Sequence, residues 1–190
     1  GEAGSGKPTL ARVVAGLAQP SLGKVLFEGK DLAALGKVER TRALQQIQLV
    51  TPEALATPGA LAALLVREAK LLVFDEAFEA FDAATRLRLF LEIRGLQEDQ
   101  ALTCLLLTRS LELAGALSDQ ISMLYAGQIV ESGATAGVLS NPQHPYTQSL
   151  LSGEGSGAST PEQLSESLAP GCRFRARCPQ AIVRCAHESP

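Results

Sequence analysis

The seven residues that open the chain, Gly1-Glu2-Ala3-Gly4-Ser5-Gly6-Lys7, constrain the fold more than any other stretch. Glycines this closely spaced let a loop curl until its backbone N–H groups point inward. The apolar residues Leu10, Val13, Val14 and Leu17 then recur at helical spacing until Pro20 and Gly23 stop them, which predicts a first helix starting at the loop. Inward N–H dipoles and a helix N-terminus converge on one anion, and the natural ligand is the phosphate tail of a nucleoside triphosphate. Gly4, Ser5 and Gly6 would cradle it, and Lys7 would neutralise the β- and γ-phosphates. The next residue is expected to offer a hydroxyl to Mg²⁺, but Pro8 has neither hydroxyl nor N–H. Thr9 has both, one position out of register. A glycine-rich turn that merely caps a helix is the alternative, and Gly-x-x-Gly-x-Gly-Lys is more specific than that.

A second constraint comes from residues 71–74, Leu-Leu-Val-Phe, which run straight into Asp75-Glu76. Such a run suits a strand buried on both faces and ending at a polar edge. An apolar stripe of Leu87, Phe90, Leu91 and Ile93 predicts a helix over about residues 84–96, and residues 102–107 form a second apolar run. Strand, helix, strand is a βαβ unit, so the fold class is α/β with a parallel core sheet. Residues 25–27 and 47–50 read as strands at the sheet margin, separated by the polar stretch 37–42. Residues 60–66 read as a short helix after a Pro/Thr/Ala-rich stretch. Residues 121–125 and 129–131 flank Ala126-Gly127 as a hairpin, and a short helix follows Tyr146. Gly153-Glu154-Gly155-Ser156-Gly157 reads as a flexible linker. The expected organisation is a domain over residues 1–150, a linker over 151–170 and a separate tail over 171–190, with no internal repeat.

The acidic strand end has the composition of a phosphoryl-transfer site. Asp75 would hold Mg²⁺ through water and Glu76 would act as the base or position the attacking water. An isolated Asp-Glu pair is more often a solvated helix cap, but this pair follows a buried strand in a chain that also carries a phosphate loop. With 17 Lys+Arg against 20 Asp+Glu, the net charge of -3 gives no reason to expect nucleic-acid binding. The apolar runs fall short of the roughly 18 residues a membrane helix needs. Of four cysteines, Cys104 sits in an apolar run where a thiol acts as a small apolar group, while Cys172, Cys178 and Cys185 crowd into the tail. That distribution favours a cytosolic protein with a local cysteine site over a disulfide framework. Spacings of six and seven are too wide for a paired Cys-x-x-Cys zinc knuckle. His144 and His187 read as turn and surface histidines, and the tail's four arginines as a solvated face. The absent initiator Met, with the first residue already inside a motif, suggests a truncated product.

These residues together resemble the ATP-binding subunits of ABC transporters, in the oligopeptide, dipeptide and nickel importer branch. Residues 1–10 resemble the Walker A segment of these P-loop NTPases, residues 23–32 the strand and turn after it, 71–76 Walker B, and Glu79-Ala80-Phe81-Asp82 the D-loop. Residues 125–133 and Asn141-Pro142-Gln143-His144-Pro145-Tyr146-Thr147 are similar to segments specific to the peptide branch, as is the tail with Gly171-Cys172-Arg173-Phe174 and Arg177-Cys178-Pro179. The resemblance implies ATP and Mg²⁺ as cofactors and hydrolysis of ATP coupled to peptide import. It implies two membrane-spanning subunits and a second ATPase subunit as partners, and a peripheral place on the cytoplasmic face of the bacterial inner membrane. The family's tail has been associated with an iron-sulfur cluster; Cys172, Cys178 and Cys185 resemble three of its ligands, with the fourth expected beyond Pro190.

The chain also departs from the family pattern. Only 68 positions separate Lys7 from Asp75, and no Leu-Ser-Gly-Gly-Gln signature lies between them, so most of the helical subdomain is expected to be missing. Thr51-Pro52 stands where the Q-loop glutamine is expected, and Arg109 where the switch histidine is expected. A degenerate paralogue that keeps the fold and weak nucleotide binding is therefore the competing expectation. An independent P-loop kinase or small GTPase-like switch is disfavoured, because it would not explain the hairpin and tail.

Overall fold

A computed structural model of the chain describes residues 1–57, 59, 61, 63, 68–100, 102–153 and 170–189. The chain divides into two compact units, Pro8–Thr108 on one hand and Gly1–Lys7 with Arg109–Pro190 on the other. Most of the short helix expected over residues 60–66 and most of the linker over 151–170 lie outside the described residues; the described Leu61 and Ala63 are helical.

The unit Pro8–Thr108 is entered by α1 (Lys7–Val14), followed by a small antiparallel pair, β1 (Leu26–Phe27) and β2 (Lys30–Asp31). After α2 (Lys37–Gln45) come β3 (Ile47–Val50), α3 (Pro52–Leu55), β4 (Leu71–Asp75), α4 (Ala83–Gln100) and β5 (Thr103–Leu107). β3, β4 and β5 form a parallel sheet in that order, with Val50 opposite Phe74 and Asp75 opposite Leu107. The expected βαβ unit is thus present, and its central strand is the most buried, with Leu72, Val73 and Phe74 at 1% exposure or less. Burying each such side chain contributes about 1.5–3 kcal/mol relative to leaving it exposed.

Two stretches with no assigned element prove helical, and one apolar stripe needs correction. The polar stretch 37–42 lies in α2, a helix with no buried residue whose charged side chains are solvated. Thr51-Pro52 starts another helix, α3, because the Thr51 hydroxyl accepts the Ala54 N–H and proline suits the first turn. On α4 the buried pair is Leu89 and Ile93, while Leu87 and Leu91 are exposed. The same offset occurs on α1, where Ala11 and, just past its end, Ala15 face the core beside Ile47, Val73 and Leu107, while Leu10 is partly exposed and Leu17 largely so.

The other unit is built around a hairpin, β6 (Gln120–Tyr125) and β7 (Gln128–Ala134), turning at Ala126-Gly127. Both turn residues have positive φ, 46° and 79°, as a type I′ turn requires. The register shifts between Met123 and Leu124, leaving Val130 as the extra residue of a bulge in β7. Helices α5 (Leu111–Leu117), α6 (Thr135–Ser140) and α7 (Pro145–Leu151) pack with it, and two 3₁₀ turns, Arg175–Arg177 and Val183–Ala186, shape the tail. The core is aromatic: the rings of Tyr125, Tyr146 and Phe174 lie 4.8–5.4 Å apart, with Met123 and Cys172 buried beside them. Among the described residues no helix is long and apolar enough to cross a membrane.

Candidate functional site

The opening loop folds as its glycines demand. Gly4 and Gly6 take φ of 78° and 99°, the left-handed region that favours glycine. Gly1 is required for a different reason: a Cβ there would stand 2.3 Å from the Leu124 carbonyl oxygen of β6, so no larger residue fits. The loop delivers Lys7 to the first position of α1, 3% exposed. Its ammonium donates to the carbonyl oxygens of Gly1 (2.9 Å) and Glu2 (2.8 Å) and meets the Ser5 hydroxyl at 3.4 Å. A buried ammonium needs such acceptors, and the loop's own oxygens provide them. Ser5 is 1% exposed, and its carbonyl accepts the Gly127 N–H at 2.8 Å. Gly4, Ser5, Gly6 and Lys7 are thus brought into one loop. Pro8 and Thr9 lie on the exposed side of α1's first turn.

At the other acidic motif, Asp75 ends β4 and Glu76 follows with φ 47°. A left-handed non-glycine residue costs about 1–2 kcal/mol, and such strain concentrates at functional sites. The Glu76 N–H donates to the Leu107 carbonyl at 2.9 Å, which fixes the bend. The next residues are locked by packing, since the Phe78 ring lies 5.0 Å from Phe74 and 5.3 Å from Phe90. The Thr108 hydroxyl donates to Glu79 at 2.6 Å. Asp82 caps α4 by accepting the Thr85 N–H and hydroxyl, and these bonds hold its carboxyl below the usual range. Arg109 is exposed. In β5, burial pushes the Cys104 thiol up to about 11, against the pull of the Arg94 charge, so it stays an un-ionised, apolar group.

Several side chains that pattern reading treated as ordinary are built into the loop's surroundings. His144 is a buried helix cap rather than a turn histidine: its Nδ1 accepts the Tyr146 N–H at 3.0 Å, and burial lowers its pKa despite the opposing Glu131 charge. Tyr146 is fully buried and its phenol accepts the Glu2 N–H at 3.0 Å. Burial pushes that phenol up to about 12. Arg177 is no solvated tail charge but pairs with Glu2 at 2.8 Å. Nothing local in the sequence signals this pair.

The tail cysteines lie on one cluster. Cys172 is buried, and Cys178 and Cys185 pack partly buried against the same aromatic residues. Among the described residues no group of three or more His, Cys, Asp or Glu side chains is arranged to hold a metal ion, and in this packing the thiols fill apolar space.

The loop does fit a polyphosphate, because its conformation and buried lysine are those an anion cradle needs. Of the side chains expected near a metal, Asp75 and Thr9 carry hard oxygen atoms and Pro8 carries none.

Comparison with known proteins agrees with this geometry. Residues 130–185 match the family model described as the oligopeptide/dipeptide transporter C-terminal region. A peptide import ATP-binding protein of Brucella ovis is 28% identical over 257 residues, an alignment covering all of this chain and 81% of that protein. The oligopeptide transport ATP-binding protein of Salmonella typhimurium is 26% identical, with 100% and 78% covered. The Brucella alignment spans 257 positions against 190 residues here, so at least 67 positions of that relative have no counterpart within the aligned chain. Among solved structures, CbiO1 from Clostridium perfringens, part of an ABC transporter complex, superposes with a TM-score of 0.65 at 16% identity, over 74% of this chain and 77% of that one. The chain is a homologue of the ATP-binding subunits of oligopeptide and dipeptide ABC transporters, and it has the fold of an ABC ATPase.

Proposed function

We propose that the chain is the ATP-binding subunit of a peptide-class importer, acting beside membrane-spanning subunits and a second ATPase subunit. It would be peripheral to the cytoplasmic face of the bacterial inner membrane. Its parts are a nucleotide-binding domain over residues 1–150, a linker over 151–170 and a family-specific tail over 171–190. One observation carries the nucleotide assignment: a buried lysine at a helix start, caged by the loop's own oxygens, in a loop bent by Gly4 and Gly6. Such a lysine is stabilised as well by phosphate oxygens as by carbonyls, so the loop is preorganised for exchange of one set for the other.

Gly4, Ser5 and Gly6 present N–H groups to the phosphates, and Lys7 carries the compensating charge. Asp75 would hold Mg²⁺, which when bound would neutralise charge developing on the phosphates. Glu76 would accept the proton of an attacking water, and its fixed backbone bend sets where its carboxylate begins. Loss of the hydroxyl at position 8 removes a bond to a charged group, worth about 1.5–3 kcal/mol. Nucleotide binding is therefore expected to be weak and to depend little on magnesium. Calorimetric titration with ATP, with and without Mg²⁺, tests this on the unaltered chain and on Lys7→Ala. Binding that Lys7→Ala abolishes supports the assignment, and absence of binding in the unaltered chain refutes it.

A further inference from the structure

The relatives' names assign no role to the tail in nucleotide binding, yet its side chains reach the phosphate loop along two routes within one unit. On the first, the Arg177 guanidinium donates to Glu2 Oε1 at 2.8 Å, with the two side chains only 17% and 6% exposed. It lies 5.7 Å from the Tyr125 ring centroid and 5.6 Å from that of Phe174. Burial is the largest single influence and works against its charge, but Glu2 and Tyr125 together outweigh it and raise the pKa. Glu2 is also held through its N–H by the Tyr146 phenol, and its carbonyl oxygen accepts the Lys7 ammonium at 2.8 Å. The carboxylate that grips the tail and the carbonyl that cages Lys7 therefore belong to one residue. On the second route, Arg173 donates to the Ala126 carbonyl in the hairpin turn, and the adjoining Gly127 N–H donates to Ser5 O at 2.8 Å.

We propose that Arg177 and Arg173 are positioning residues for the phosphate loop: the tail clamps Glu2 directly and Ser5 through the hairpin turn, and so sets the affinity for the nucleotide polyphosphate. This rests on the nucleotide assignment above. A planar guanidinium suits the role, because it can rest against aromatic rings while donating in its own plane to a carboxylate.

The test measures ATP affinity, thermal stability and amide hydrogen exchange of residues 2–6 in the full chain and its variants. Arg177→Met is expected to weaken ATP binding about tenfold and to speed exchange in the loop, and Arg177→Lys to recover part of both. Arg173→Met is expected to have a smaller effect of the same kind. Arg184→Ala is expected to change neither, since Arg184 pairs with Glu188 in the open. The double variant Glu2→Gln with Arg177→Met leaves no buried charge unpaired, so it separates packing from positioning. Stability regained while affinity stays low and loop exchange stays fast supports the clamp. Affinity that returns with stability, or ATP binding unchanged in Arg177→Met, overturns it. If the unaltered chain binds no ATP, the nucleotide assignment falls while loop exchange in Arg177→Met still decides the clamp.

Discussion

The phosphate loop and the acidic strand end are both short polar motifs, but they are held by different means. The loop is held from a distance: Glu2 bonds to Tyr146 and Arg177, 144 and 175 residues away. The strand end is held mostly by neighbours in a βαβ unit: β4 lies between β3 and β5, Glu76 bonds to Leu107, and Phe78 packs on Phe74 and Phe90. The loop has its lysine buried and bonded, whereas Glu76 sits on a strained backbone. The phosphate loop keeps its glycines and its lysine and lacks only what Pro8 cannot supply, whereas Arg109 and the missing signature bear on hydrolysis.

Breaking the locally held half at its packing centre gives the largest effect. Phe78→Ala removes a fully buried ring with two aromatic neighbours, and is expected to destabilise the unit Pro8–Thr108 by about 3–5 kcal/mol in denaturant unfolding. Because the loop belongs to the other unit, exchange protection of residues 2–6 is expected to survive in conditions where protection of β4 is lost.

Acid sharpens the contrast from the other side. His144 has a folded pKa below its ordinary 6.5, so the unfolded chain binds the proton more readily as pH falls through that value. Stability is expected to be full above about pH 6.5 and to decline below it, because an imidazolium Nδ1 cannot accept the Tyr146 N–H. Loss of a helix cap is worth about 0.5–2 kcal/mol. Glu131 acts in the same direction at lower pH: burial raises its pKa, but the N–H groups of Gln143 and His144, which donate to its carboxylate, help to hold it below its ordinary value. The aromatic unit is thus expected to melt first on acidification, as monitored by tyrosine signals, and His144→Gln is expected to flatten the upper part of the profile.

Glycine tests the strain at the strand end. Glu76→Gly relieves the left-handed backbone and is expected to raise stability by about 1 kcal/mol while deleting the carboxylate. No gain would mean that the bend is not strained. The smallest effect is chemical: with its thiol pushed up to about 11, Cys104 is expected to be alkylated far more slowly at pH 8 than an ordinary thiol, as followed by mass spectrometry.

What the sequence makes legible follows the same division. The loop, the β4–α4–β5 unit and the hairpin declare themselves through local patterns of glycine, apolar runs and turn residues. The buried face of α4 does not, because Leu87/Leu91 and Leu89/Ile93 share one spacing and only the sheet decides between them. α2 escapes notice because a helix without a buried residue has no apolar period. The Arg177–Glu2 pair is invisible because no periodicity links positions 175 residues apart. The packing of the tail cysteines against the aromatic cluster is equally hidden, because their spacings of six and seven follow no regular period.

The central claim is that this chain binds nucleotide weakly at its glycine loop, while the isolated chain hydrolyses ATP no faster than background. Removing one transition-state contact costs roughly 2.7–4 kcal/mol, and Arg109 cannot accept a hydrogen bond as an imidazole can. The most direct measurement follows ATP binding and phosphate release on one preparation of the purified chain, with Lys7→Ala and Glu76→Gln as controls for contamination. The expected result is binding that Lys7→Ala removes, with phosphate release no faster in the unaltered chain than in Glu76→Gln. Sustained release that both substitutions abolish would contradict the account.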